Sequence, residues 1–143
     1  MRINLVGPKE AIMKRMFLIF IAVLGMAMVG FASKGETLTL KRGQQKTAAK
    51  GEITIKFVSV TEDSRCPTDA NCIWAGNAKV QVKVTTRGGG VKTMLVNTDS
   101  GPKGDQYDGW AIYLTSLSPA PKSSTKINPR SYVATFSVAR LSR

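Results

Sequence analysis

From Thr37 to Val138 the chain repeatedly alternates apolar and polar residues, the period of an extended strand whose successive side chains point to opposite faces. The clearest run puts Ala78, Val80, Val82 and Val84 on one face and Lys79, Gln81, Lys83 and Thr85 on the other. Leu38 and Leu40, then Ile53, Ile55 and Phe57, then Trp110, Ile112 and Leu114, and finally Tyr132, Ala134, Phe136 and Val138 repeat the pattern. At Phe57-Val58 two apolar residues are adjacent and the phase passes to Val58 and Val60, which predicts a bulge or a strand buried on both faces. Arg87-Gly88-Gly89-Gly90 reads as a hairpin turn into Val91–Val96, because a phosphate-binding loop would need a Lys-Ser/Thr ending and a following helix. Asn97–Gly109 reads as a Gly/Asp/Ser loop, and Pro119 and Pro121 exclude a central strand across 118–124. No amphipathic helix follows residue 33. About six or seven strands at this spacing predict an all-β fold, an antiparallel β-sandwich, with a small β-barrel as the alternative.

The first 32 residues are of another kind. Met16–Ala32 is an uncharged apolar run directly preceded by Lys14-Arg15, and Gly30 and Ala32 place small side chains before Ser33. A positive start, an apolar core and a small-residue end describe a signal peptide, with Met1 or Met13 as its opening residue. The rival is an uncleaved apolar helix anchoring the chain in the inner membrane through residues 16–32. Both readings put Lys14-Arg15 inside and the domain outside, so residues 33–143 are expected to form a single exported β domain, periplasmic or extracellular.

The two cysteines, Cys66 and Cys72, lie in the exported part, where a nearby pair is expected to form a disulfide. A bridge closing seven residues stabilises by roughly 2 kcal/mol in the chain-entropy model, enough to hold one loop in shape. Around it, Asp63-Ser64-Arg65-Cys66-Pro67 and Cys72-Ile73-Trp74-Ala75-Gly76 join two strands. Asp63 and Ser64 suit a turn, Pro67 fixes φ, Gly76 permits a turn or bulge, and Trp74 offers a large apolar face to cover the bridge. The pattern D-S-R-C-P-x4-C-x-W-x-G, followed by the valine strand, resembles a group of small uncharacterised exported bacterial β-proteins. The likeness covers Val58 to Val84, with weaker likeness at Leu117-Ser118-Pro119 and Tyr132–Val138. It implies export, a disulfide and a β domain, and brings no activity with it.

Two uses of this loop stand side by side. One is a stapled β-connection with Trp74 packed on the bridge. The other is a rigid recognition loop with Arg65, Asp69 and Trp74 as contacts, since loops on a rigid scaffold carry binding and Arg and Trp anchor interfaces. The C-x5-C spacing and the absence of a βαβ context argue against a redox role.

The chain has no histidine, which removes Ser-His-Asp and Cys-His catalysis and imidazole zinc sites. No metal site or cofactor is expected. Asp63, Asp69, Asp99, Asp105 and Asp108 all fall in loops; a catalytic carboxylate pair among them would need a defined separation. The segment from Asp99 to Gly109 has oxygen ligands suited to calcium, but it lacks EF-hand spacing and contains Lys103, so a Gly/Asp turn is preferred.

The formal net charge is +12. Four basic residues and one acidic residue precede the apolar run, which leaves 17 basic against 8 acidic, a surplus of nine in the exported part. Such a domain is drawn to anionic partners. Lys79 and Lys83 share the outward face of the valine strand, and Lys56 is expected on the same side, a cationic stripe or simply a solvated face protected against edge pairing. Export argues against nucleic-acid work. The expectation is a non-enzymatic extracytoplasmic binding or adaptor module acting through the stapled loop on an envelope protein or ligand. The alternative is a structural envelope protein held by charge to anionic polymers. An enzyme using loop carboxylates ranks behind both.

Overall fold

The computed structural model describes residues 35–142. The apolar segment read as a signal peptide or anchor helix lies outside them. Eight strands follow in order: β1 (Glu36–Lys41), β2 (Gln45–Ala48), β3 (Ile53–Asp63), β4 (Ala78–Thr86), β5 (Val91–Asn97), β6 (Gly104–Tyr107), β7 (Trp110–Ser118) and β8 (Val133–Arg140). They form two four-stranded antiparallel sheets, β1-β8-β7-β6 and β2-β3-β4-β5, the expected sandwich and not a closed barrel. Among the described residues no helix is long and apolar enough to cross a membrane.

The topology is mostly local. One sheet is a meander of β2 to β5; the other is a meander of β6 to β8, completed by the first strand lying against the last. The alternating residues fill the space between the sheets. Ile53, Ile55 and Phe57 of β3 and Val80, Val82 and Val84 of β4 are fully buried, as are Ile112 of β7 and Ala134 and Phe136 of β8. Phe57 and Phe136 meet edge to face across the layer, with centroids 6.2 Å apart, so the two sheets share one core.

The phase slip at Phe57-Val58 is a register shift between Phe57 and Ser59 in the β3–β4 ladder, and a second shift lies between Val60 and Glu62. Together they bend the end of β3 that leads into the cysteine loop. Two strands depart from the sequence reading. β2 buries only Ala48, so an edge strand with nearly all side chains in water shows no alternation. β6 lies inside Asn97–Gly109, read above as a loop; Gly104 to Tyr107 pair in register with Trp110 to Tyr113 through their backbones, and a Cβ at Gly104 would strike the Tyr113 ring. Backbone pairing at a sheet edge asks little of side-chain type, which is why the composition hides it.

The sheets are tied at two corners. In the β1–β2 turn, Arg42 N–H donates to the Tyr132 carbonyl (3.0 Å) on one sheet and Gly43 N–H to the Phe57 carbonyl (2.7 Å) on the other. Diagonally opposite, the Lys92 ammonium of β5 reaches the Asp105 carboxylate and the Gln106 carbonyl of β6.

Candidate functional site: the stapled loop and its base

The β3–β4 hairpin does not stop where its ladder ends. Ser64 N–H donates to the Asn77 carbonyl (2.7 Å), the Ser64 hydroxyl donates to the same oxygen (2.9 Å), and Cys66 N–H donates to the Ala75 carbonyl (2.7 Å). These bonds make a neck that carries the loop outward. Gly76 sits in it at φ +71°, and a Cβ there would drive into the Ser64 carbonyl and lie 2.8 Å from Arg65 Cα. Both the left-handed backbone and the close strand approach demand glycine. The buried Asn77 amide ties the neck to the loop after β5. Its Nδ2 donates to Asn97 Oδ1 (2.8 Å), and its Oδ1 accepts from Asp99 N–H (3.1 Å).

A charged strut stands beside the neck. Arg65 Nε and Nη2 donate to the two oxygens of Asp63 (2.9 and 2.7 Å), Nη1 donates to the Leu117 carbonyl (2.7 Å), and Nη2 also donates to the Pro119 carbonyl (2.9 Å). The Tyr132 hydroxyl donates to Asp63 Oδ2 at 2.8 Å. The Arg65 and Asp63 side chains are only 13% and 12% exposed, so the pair is strong and its breakage costly. Burial works to raise the Asp63 pKa, but the Arg65 and Tyr132 hydrogen bonds and the guanidinium charge outweigh it and hold the carboxyl below its ordinary range. Burial, and then the bond to the Asp63 carboxylate, push the Tyr132 phenol up to about 12.

Cys66 and Cys72 are bridged, with Cα atoms 5.9 Å apart. The stapled segment leans on the β7–β8 connection: Thr68 N–H donates to the Pro121 carbonyl (3.0 Å), and Ser123 donates through its N–H and hydroxyl to the two oxygens of Asp69 (2.8 and 2.7 Å). Those two bonds lower the Asp69 pKa. Past the second cysteine the character changes. Ile73 is 93% exposed and Trp74 74% exposed. Trp74 therefore does not bury its face on the bridge, as the packed-bridge reading expected, and the stapled segment is held instead by Pro121 and Ser123.

The three candidate contacts thus have different situations. Arg65 turns inward and spends its donors on Asp63 and two carbonyls; Asp69 lies at the surface, bonded to Ser123; Trp74 projects. The lysines lie elsewhere, on the outer face of the β2–β5 sheet. Lys56 stands opposite Lys83 in register, and Lys79 stands opposite Glu62 and pairs with it at 2.6 Å. Two of the carboxylates expected in loops lie in strands, Asp63 at the end of β3 and Asp105 in β6, and Asp63, Asp69, Asp99 and Asp105 each have separate partners. Asp105 bonds Lys92 and the Gln106 N–H, which lower its pKa, while Asp99 lies 3.8 Å from Lys103. Among the described residues no group of three or more His, Cys, Asp or Glu side chains stands close enough to hold a metal.

Sequence reasoning missed Ile73 as the partner of Trp74, although two adjacent apolar residues between a cysteine and a glycine break the strand alternation. It also missed Tyr132, the third member of the strut, and Asn77. A groove of about 460 Å³ opens beside the strut, where Val60, Ile127 and Pro129 give an apolar wall and Asp63 and Tyr132 a polar one. Comparison of the chain with protein-family models, with curated proteins and with solved structures finds no match.

Proposed function

We propose that this chain is a non-enzymatic, exported binding module that engages an envelope component through the stapled loop, with Ile73 and Trp74 as its contact tip. One observation carries the reading. Within the motif, Asp63 and Arg65 make the strut, Ser64 and Gly76 make the neck, and Cys66 and Cys72 make the staple, whereas Trp74 has no comparable task in the fold and stands in water. A large aromatic side chain on a pre-ordered base is the economical form of an interface anchor, because little freedom remains to be lost on binding. The separate partners of Asp69, Asp99 and Asp105 support a binding role over loop-carboxylate catalysis.

A second reading is favoured by the opposed Lys56 and Lys83, which take part in no ion pair among the described residues: a basic structural protein held to anionic polymers by charge alone. The two separate in co-sedimentation of the chain with a bacterial envelope fraction, at low and high salt. The loop reading predicts retention that survives high salt and is lost in Trp74→Ala and in Cys66→Ser/Cys72→Ser. Retention that ignores both variants and disappears with salt would leave only the charge reading.

A further inference from the structure

We infer that the tip docks on the surface of an anionic phospholipid bilayer, an inference that rests on the binding role proposed for the stapled loop and names its partner. The cysteine loop, the β7–β8 connection and the β1–β2 turn all lie at one end of the sandwich, joined by the Thr68–Pro121, Asp69–Ser123, Arg65–Pro119 and Arg42–Tyr132 bonds.

The acids of this end are largely neutralised: Asp63 pairs with Arg65, Glu62 with Lys79 and Asp99 with Lys103. Only Asp69 faces no cation, its oxygens being bonded to Ser123. Against it stand Lys41, Arg42, Lys122, Lys126 and Arg130, all exposed and in no ion pair among the described residues, so the end carries a surplus of four positive charges.

Two adjacent, nearly bare apolar side chains at the same end as a cationic surplus make the composition of an interfacial anchor. The indole settles at the headgroup level with its apolar body inward, and the basic side chains meet lipid phosphates. The tip is also convex and stiff. Ile73 and Trp74 project from a neck fixed by hydrogen bonds and the disulfide, so insertion orders little that is not already ordered. A zwitterionic bilayer has no net charge to attract the cations, so the charge sign selects an anionic one.

The test uses the full chain with vesicles of phosphatidylcholine alone or with about one-third phosphatidylglycerol, reading quenching by aqueous iodide and by lipids brominated in the acyl chains. Trp110 is 6% exposed and supplies a constant background, measured in a Trp74→Phe variant. The expected result is that anionic vesicles shield Trp74 from iodide and expose it to the brominated chains. Trp74→Ala should weaken sedimentation with anionic vesicles about tenfold, as removal of an indole face implies. Lys122→Ala/Lys126→Ala should weaken it several-fold at low salt and less at high salt. Association that leaves Trp74 open to iodide, with either lipid, reports the apolar segment 16–32 or diffuse charge and overturns the inference. If vesicles leave Trp74 open while retention on the envelope fraction still requires it, the partner is a protein: the bilayer inference falls and the binding role stands. If neither engages Trp74, both fall.

Discussion

The neck and the tip of the stapled loop lie within a few residues of each other and are built in opposite ways. In the neck, Ser64 and Cys66 bond across to Asn77 and Ala75, Arg65 is gripped by Asp63 and two carbonyls, and Gly76 fills a place that admits no side chain. At the tip, Ile73 and Trp74 extend into solvent. A protein that needed only to connect β3 with β4 could do so with a short turn. Investment in a rigid base under an exposed apolar pair makes sense where the pair has to be presented, and the contrast separates residues that hold the loop from residues that use it.

Substitutions should divide along the same line. Gly76→Ala meets both positive φ and the Ser64 carbonyl, so it should cost about 4 kcal/mol in urea unfolding, the largest effect of the set; a small change would mean the neck is looser than its bonds suggest. Asp63→Ala leaves the Arg65 guanidinium and the Tyr132 hydroxyl without their acceptor and should cost about 3 kcal/mol. Cys66→Ser/Cys72→Ser should lower stability by roughly 2 kcal/mol, as a seven-residue closure implies.

Tyr132→Phe should cost about 1.5 kcal/mol at neutral pH, and its effect should depend on pH. The folded phenol titrates at about 12 against 10.0 ordinarily, so its stabilisation is complete below pH 10 and is lost as pH rises through 12. The stability gap between wild type and Tyr132→Phe should therefore shrink over that range; a gap that stayed constant would place the hydroxyl outside the strut. At the acid end, the depressed Asp63 pKa contributes stability above the ordinary carboxylate value, lost as pH falls through the lower folded one.

The legibility of the molecule follows the same physics. Strands that bury one face leave alternation in the sequence, and β1, β3, β4, β7 and β8 could be read from it, while β5 was legible from the glycine turn before it. The first bulge of β3 was visible as adjacent Phe57 and Val58, while the second, between Val60 and Glu62, involves no apolar doublet and left no trace. β2 and β6 are short edge strands, held by backbone pairing and poor in buried side chains, so periodicity could not show them. The cysteine pairing was legible from the close spacing of the pair together with the expectation of export. The strut was not, because Asp63 and Tyr132 are 69 positions apart and only the closing of the sandwich brings them together. Nor could the sequence choose a direction for Trp74: a tryptophan near a cysteine serves equally to cover a bridge or to project from it.

That direction is the centre of the account, and the unfolding free energy of Trp74→Ala tests it most directly. If the indole stands in water and serves only binding, the variant should unfold within about 0.5 kcal/mol of wild type, the smallest effect of all, while the neck variants lose several times that. A loss of 2 kcal/mol or more would mean that Trp74 packs on the staple, and the tip would then belong to the fold rather than to a partner.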